Sequence, residues 1–374
     1  MKFSCTKENF LQALSLVSSL AGKNVNLPIL NNILLKADAQ KVEVVGTNLD
    51  LAITVLVRAK VEAPGQFTVP ARTLLDFINL LAEEKVDIEL QENELLISAG
   101  KSFTKIKGTP ADEFPVVPTL EDGQGFVIKA EELKRGLSQV LPAVAKNDIR
   151  PELAGVFFSC NIASEREVVL AATDSYRLAE KKIHLLQGTD QLKTVIPGRT
   201  AVEMVHVLSA LSTVGEEENA RLLITPNQIA LHFNNIQMTS RLIEGAYPDY
   251  TQIIPTEFKT TAVVASNDLS KAIKAAGLFT TTGVNAVTLA LSQAEGSVKI
   301  TSSSTQTGEY SAEVPASVSG EDNTVLLSHR YLLDGLNNIT GDKIQLKVIN
   351  GDSPCVLFPE EDKSFLYIVM PVRQ

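Results

Sequence analysis

The sequence is poor in the residues that build covalent or metal-stabilised frameworks. It has three cysteines, Cys5, Cys160 and Cys355, in 374 residues. An odd count without Cys-x-x-Cys argues against disulfides and against a cysteine metal site, and fits reduced thiols in a cytoplasmic protein. The four histidines, His184, His206, His232 and His329, show no metal-ligand spacing. No Gly-rich phosphate cradle follows the Walker or dinucleotide pattern. No run of about 18 uncharged apolar residues is present, so no membrane-spanning helix is expected. The N-terminal stretch lacks a basic patch followed by an apolar core, so no secretory signal is expected. Thr173-Asp174-Ser175 sets hydroxyls beside a carboxylate, yet no general base accompanies them, and a turn is the preferred reading. Neither an active site nor a cofactor is expected.

What is present is a threefold repeat. VPARTLLDFI (69–78) returns as IPGRTAVEMV (196–205) and as LSHRYLLDGL (327–336). Each copy carries an arginine (Arg72, Arg199, Arg330) and an acid four residues later (Asp76, Glu203, Asp334). The copies lie about 130 residues apart, too far for a solenoid, so whole domains are repeated. Their expected spans are 1–121, 125–253 and 254–374. Near the start of each, apolar residues recur at helical spacing: Phe10/Leu14/Val17, Leu133/Leu137/Val140 and Leu269/Ile273/Ala276. After each second helix, alternating runs flank the turns Glu92-Asn93, Pro226-Asn227 and Asn350-Gly351, as hairpins do. The copies close on Phe114-Pro115, Tyr247-Pro248 and Met370-Pro371. The expected class is α+β, with two helices per domain packed on antiparallel sheets.

Net charge is −10, which alone argues against nucleic acid. In the expected helical stretches (7–23, 72–82, 129–146, 198–212, 267–277 and 328–338), however, basic residues outnumber acids. Such a basic helical face could focus a polyanion. The tripled arginine sits at a helix start, where it opposes the helix dipole, and Arg before an acid is the weaker order for an ion pair. Beside the free N–H groups there it can serve as a phosphate contact. The other reading is an ion pair within the helix.

The repeat also breaks. Where the first copy reads GTNLDLAIT and the third TSSSTQTGEY, the middle one reads AATDSYRLAE, and only the last ends in LYIVMPVRQ. Together with the opening MKF, LPILNNILL (27–35), VPAR and YPDY, these segments resemble the bacterial sliding-clamp family, the beta subunit of DNA polymerase III. The resemblance runs the whole length of the chain. It implies a non-enzymatic processivity factor: repeated DNA-clamp domains forming a head-to-tail homodimeric ring around double-stranded DNA. The ring would tether the polymerase III alpha subunit, the clamp loader, other polymerases and repair proteins. Simple geometry supports a dimer. Six helices spaced about 10 Å apart leave an opening of roughly 10 Å, narrower than a duplex, and twelve leave about 30 Å.

The resemblance also implies sites. A partner-peptide groove matches Leu153, Thr173, Ser175, Tyr176, Arg177, Leu178, Pro248, Ile253, Ile368, Val369, Met370, Pro371, Val372 and Arg373. Aliphatic walls with two arginines at the rim suit an apolar peptide anchor. The family's best-known member has Gly-His where this chain has Ser175-Tyr176, and Arg where it has Gln252. Positions matching DNA contacts are Lys23, Asn24, Arg72, Asn147, Arg150 and Arg199, with Pro151 and Glu152 standing where that member has aromatics. Sliding requires such contacts to be weak and non-specific. Ile106, Leu278 and Phe279 are the candidates for the apolar centre of the dimer interface. Two other classes stay open at this point: a hydrolase using Thr173, Asp174 and a histidine, and a monomeric scaffold indifferent to DNA topology.

Overall fold

The computed structural model describes residues 1–22, 26–39, 41–147, 149–210, 219–281, 283 and 285–372. Among them are six α-helices: α1 (Lys7–Ser18), α2 (Ala71–Leu80), α3 (Ala130–Val140), α4 (Gly198–Ser209), α5 (Ser266–Gly277) and α6 (His329–Leu336). The strands between them pair antiparallel throughout, so the class is α+β as expected. All nine residues of the three apolar stripes are buried to 0 % exposure. The tripled segment opens α2, α4 and α6, with Pro70 and Ser328 capping the first and last. No described helix is long and apolar enough to cross a membrane.

The helices are shorter than the sequence suggested. The stretch expected from Lys129 onward ends as a helix at Val140, and a 3-10 turn (Leu141–Ala143) follows. Pro142 causes this, because it lacks an N–H and disfavours the helical conformation for the residue before it. With the shorter boundaries the expected basic excess nearly vanishes. Only α5, with Lys271 and Lys274 against Asp268, carries more bases than acids, and the other helices balance. Any cationic face therefore owes more to flanking loops than to the helices themselves.

The chain forms two compact units. The first comprises Met1–Lys134, Leu185–Gly188 and Val202–Leu242. In it α1 packs on α2 and on the strands Lys41–Thr47 and Leu51–Arg58. Gly46 permits this approach, since a Cβ there would sit 2.6 Å from the Val17 carbonyl oxygen. One sheet runs Gly65–Pro70, Asn32–Asp38, Lys41–Thr47, Leu51–Arg58, Ile236–Arg241, Gln228–Phe233, Asn219–Ile224 and Gln124–Lys129. Its central joint pairs Leu51 with Ser240, Ala52 with Thr239 and Ile53 with Met238. A second sheet ends on Ser102–Lys107, which pairs with Glu94–Ala99. Gln12 Nε2 of α1 donates to the Ala210 carbonyl (2.6 Å), and Ser19 Oγ donates to Glu203 of α4 (2.8 Å).

The second unit comprises Arg135–His184, Thr189–Ala201 and Ile243–Gln374. It repeats the layout: Leu192–Pro197, Gly155–Cys160, Glu167–Thr173, then Arg177–Gln187 as far as His184, Phe365–Val369, Cys355–Pro359, Lys343–Val348 and Thr260–Ala265. Its joint pairs Arg177 with Val369, Leu178 with Ile368 and Ala179 with Tyr367. Gln139 of α3 donates to the Asn338 carbonyl just past α6 (3.0 Å). Gly335 of α6 lies against the Tyr367 ring, 2.5 Å from where a Cβ would stand.

Candidate peptide-binding groove

The groove starts at a turn. Thr173 Oγ1 donates to the Arg177 carbonyl (2.6 Å) and accepts from the Ser175 N–H (3.1 Å). Asp174 accepts the N–H groups of Tyr176 and Arg177, both at 3.0 Å, and Ser175 takes φ of 76°. The first unit contains the same device: Thr47 Oγ1 bonds the Leu51 carbonyl and the Leu49 N–H, Asn48 accepts from Asp50 and Leu51, and Leu49 has φ of 79°. Thr173-Asp174-Ser175 is thus a repeated turn, and its hydroxyl and carboxylate are occupied in holding it.

Arg177 was expected at a rim and is instead 4 % exposed. Its Nε donates to Asp174 at 3.0 Å, its Nη1 donates to Asp334, and its guanidinium lies 4.5 Å from the centre of the Tyr331 ring. Burial alone would lower its pKa, but Tyr367, Asp334 and Asp174 outweigh that and leave it raised. Arg177 therefore ties the turn to α6 as a permanent cation. This also answers the question left by the tripled motif. Among the described residues no arginine of that motif pairs with the acid four residues on. Asp334 serves Arg177, and Glu203 accepts from Ser19 and faces His206 Nδ1 at 3.4 Å.

Beyond the turn, Ala171, Leu178, Tyr250, Val356 and Ile368 form a buried apolar floor. Half-buried Phe157, Tyr247, Ile254, Phe258, Phe358, Leu366 and Met370 pack against it. Phe157 stacks on Tyr247 with centroids 5.2 Å apart, and Tyr250 meets Phe157 edge-on at 6.0 Å. The hydroxyls have partners: Tyr247 accepts the Thr173 N–H at 2.9 Å, and Tyr250 donates to Glu180 at 2.7 Å. Burial raises both phenol pKa values, so each stays neutral. Met370 N–H bonds the Tyr176 carbonyl and Val372 N–H bonds the Leu326 carbonyl, both at 2.8 Å, which fixes the C-terminal segment along the groove.

Of the residues singled out from sequence, Leu178, Ile368 and Met370 belong to this cluster. Leu153, Thr173 and Val369 are buried, and Pro248, Pro371 and Val372 are half-buried. Ser175, Tyr176 (63 %) and Ile253 are exposed. Arg373 lies outside the described residues. Sequence reading missed Phe157, Tyr250, Phe258, Phe358 and Leu366. Strand alternation could have found two of them, because Leu366 precedes Ile368 and Met370 by steps of two, and Phe358 follows Val356 likewise.

Three positions in the molecule are equivalent by strand register. Leu34 faces Val45, Phe157 faces Ala171, and Thr288 faces Thr301. The matching residues after the turn are Ala52, Leu178 and Glu309. Across the joint, Ala52 meets Thr239 and Leu178 meets Ile368. The first depression is thus part polar, also lined by Lys36, Glu43, Gln237 and His232. The third is lined by Thr288, Thr301, Glu309 and Ser311. The first also has apolar lining, with Leu34, Val45, Leu56, Phe114 and Val116. What marks the middle one is the apolar pair Leu178 and Ile368 across the joint, ringed by Phe157, Tyr247, Phe258 and Phe358.

Models of the DNA polymerase III beta subunit's N-terminal, central and C-terminal domains match residues 1–118, 127–249 and 251–373. The chain belongs to the DNA polymerase III beta subunit family. The beta sliding clamp of Haemophilus influenzae is 29 % identical over 377 residues, covering all of both chains. That of Bacillus subtilis is 28 % identical over 384 residues, again with full coverage. The crystal structure of the Bacillus subtilis DNA polymerase sliding clamp covers 100 % of this chain and 99 % of its own, at 28 % identity and TM-score 0.91. The Pseudomonas aeruginosa sliding clamp, solved bound to griselimycin, covers 100 % of both at 25 % identity and TM-score 0.93.

The other positions matched to the beta subunit family fall as follows. Arg72 and Arg199 are exposed in the first turns of α2 and α4. Asn147 and Arg150 are exposed, and Arg150 Nε is held by Glu152 at 3.0 Å. Lys23 and Asn24 lie outside the described residues. Of the interface candidates, Leu278 is 71 % exposed just past α5, and half-buried Phe279 stacks on Tyr310 with centroids 6.0 Å apart. Ile106 is only 6 % exposed, because it faces its own sheet's interior. Phe103, at 72 % exposure, carries the apolar surface on that edge.

Proposed function

We propose that this sliding clamp receives partner peptides in the groove floored by Leu178 and Ile368 and walled by Phe157, Tyr247 and Met370. As a member of the DNA polymerase III beta family it is a processivity factor, not an enzyme. It encircles double-stranded DNA as a head-to-tail homodimer and tethers the polymerase III alpha subunit, the clamp loader and other replication and repair proteins. The observation that carries the groove assignment is the broken symmetry. Of three register-equivalent positions, the middle one alone joins two large aliphatic side chains, Leu178 and Ile368, where the first has Ala52 and Thr239 and the third has Thr288, Thr301 and Glu309. An apolar anchor loses affinity on the other two, where its burial would strand hydroxyls or the Glu309 carboxylate. The remaining residues of the groove set (Leu153, Thr173, Ser175, Tyr176, Arg177, Pro248, Ile253, Val369, Pro371, Val372 and Arg373) support or border it. Arg177 acts by fixing the turn.

The DNA-facing set is Lys23, Asn24, Arg72, Asn147, Arg150 and Arg199, used as weak phosphate contacts that permit sliding. Arg150, already paired with Glu152, contributes least. The three domains span 1–121, 125–253 and 254–374, in keeping with the matched family spans, and the protein works in the cytoplasm.

The repeat also supports a specific dimer contact. The Glu94–Lys107 hairpin has the strand and loop lengths of Gln228–Arg241. Ser102 to Ile106 therefore correspond to Ile236 to Ser240. Gly308 to Ala312 likewise correspond to Leu51 to Val55. Carrying over the observed joint register sets Phe103 opposite the partner's Ser311, Thr104 opposite its Tyr310, and Lys105 opposite its Glu309. Helix pairs follow the same series: α1 with α4, α3 with α6, then α5 with α2 of the second copy. Phe103, Leu278 and Phe279 give this interface its apolar surface, with Ile106 beneath.

Deleting the last five residues, Met370 onward, tests the groove. Polymerase stimulation on primed DNA should be lost while ring loading is less affected. Unchanged stimulation would refute the assignment.

A further inference from the structure

The third arginine of the repeat, Arg330, has no part in the assignments above. It lines a depression of about 460 Å³ together with Lys146 and the stacked pair Tyr176 and Tyr331, whose centroids are 6.4 Å apart. Two acids, Asp174 and Asp334, share the depression, and both are committed to Arg177. Lys146 and Arg330 are exposed and have no ion pair among the described residues. The balance is thus positive, with two available cations in the same lining as an aromatic pair. Tyr176 and Val372 line this depression and also belong to the groove set, so the two sites are contiguous.

We infer that this depression reads an acidic side chain of the partner peptide, adjacent to the apolar anchor, through Arg330 and Lys146. The inference rests on the groove assignment and gives it a charge preference. A guanidinium and an ammonium lining the same depression as a tyrosine pair can hold one carboxylate by charge-assisted hydrogen bonds, with the peptide stem against the rings. With three cations against two acids in its lining the depression is only weakly positive, which matches one carboxylate better than a run of phosphates. An acidic partner segment therefore fits better than a nucleic-acid strand.

The test uses the full-length protein and labelled synthetic peptides with a common apolar C-terminal half of leucine and phenylalanine, chosen to suit the aliphatic and aromatic groove, preceded by two Asp, two Asn or two Lys. The Asp peptide should bind about three- to tenfold more tightly than the Asn peptide at low salt, as expected for two partly exposed pairs. The Lys peptide should bind weakest. In the double variant Lys146→Gln, Arg330→Gln the Asp and Asn affinities should converge, and so should the wild-type values at high salt. An unchanged Asp preference in the double variant would overturn the inference. So would a variant that loses affinity for a primed DNA duplex while keeping its peptide preference, since the cations would then serve nucleic acid. Failure of every peptide to bind the wild-type protein would instead refute the groove itself.

Discussion

Two buried cations fasten the second unit, and each acts through named partners. Lys181 is 1 % exposed, and its Nζ donates to Asp362 and to Ser364 Oγ, both at 2.5 Å. Burial alone would raise the Asp362 carboxyl, but the hydrogen bonds from Lys181 and Ser364 hold it below its ordinary value. A depressed carboxylate stabilises the fold above its unfolded-state pKa, and that stability is lost as pH falls through the lower folded value. Asp362→Asn should therefore cost about 3–5 kcal/mol near neutral pH, the scale of an orphaned buried charge. The gap to wild type should narrow below roughly pH 4. Urea titrations across that range check both statements, and a pH-independent gap would contradict the pairing. The three thiols are poor candidates for chemistry: Cys5, Cys160 and Cys355 are free and buried, and burial pushes their pKa values up to about 12.

At the scale of elements, the apolar stripes of α1, α3 and α5 were legible because helical periodicity is a local signal, and all nine positions are buried. Helix ends were less legible, since Pro142 ends α3 by a backbone effect that side-chain periodicity does not register. The groove was half legible. Ile368 and Met370 stood out in a segment unique to the last copy, whereas Phe157 and Phe258 reach the same surface from strands and linkers far away in sequence. Arg177 was misjudged because its two carboxylate partners come from a turn and from α6, a convergence that only tertiary structure creates. The proposed interface register yields a prediction at this scale. Lys105→Glu should weaken the dimer through repulsion with the partner's Glu309, and adding Glu309→Lys should restore it. Analytical ultracentrifugation at low salt should show about a tenfold rise in dissociation constant for the single variant, in line with a like-charge cross-strand pair. An unmoved constant would count against the register.

For the whole molecule, the repeat and its breaks carry different information. Matching turns at Thr47 and Thr173, and matching joints at Leu51–Ser240 and Arg177–Val369, show one design used twice within the chain. A third joint of that design can form only between chains, which gives a physical reason for a closed assembly. With net charge −10 and helices nearly balanced in sign, retention on DNA should come from topology, not from tight phosphate binding. Loaded onto nicked circular DNA and separated by gel filtration at moderate salt, the protein should stay with the circle. It should be released within minutes once a restriction enzyme linearises the DNA. Equal retention on circular and linear DNA would contradict the account.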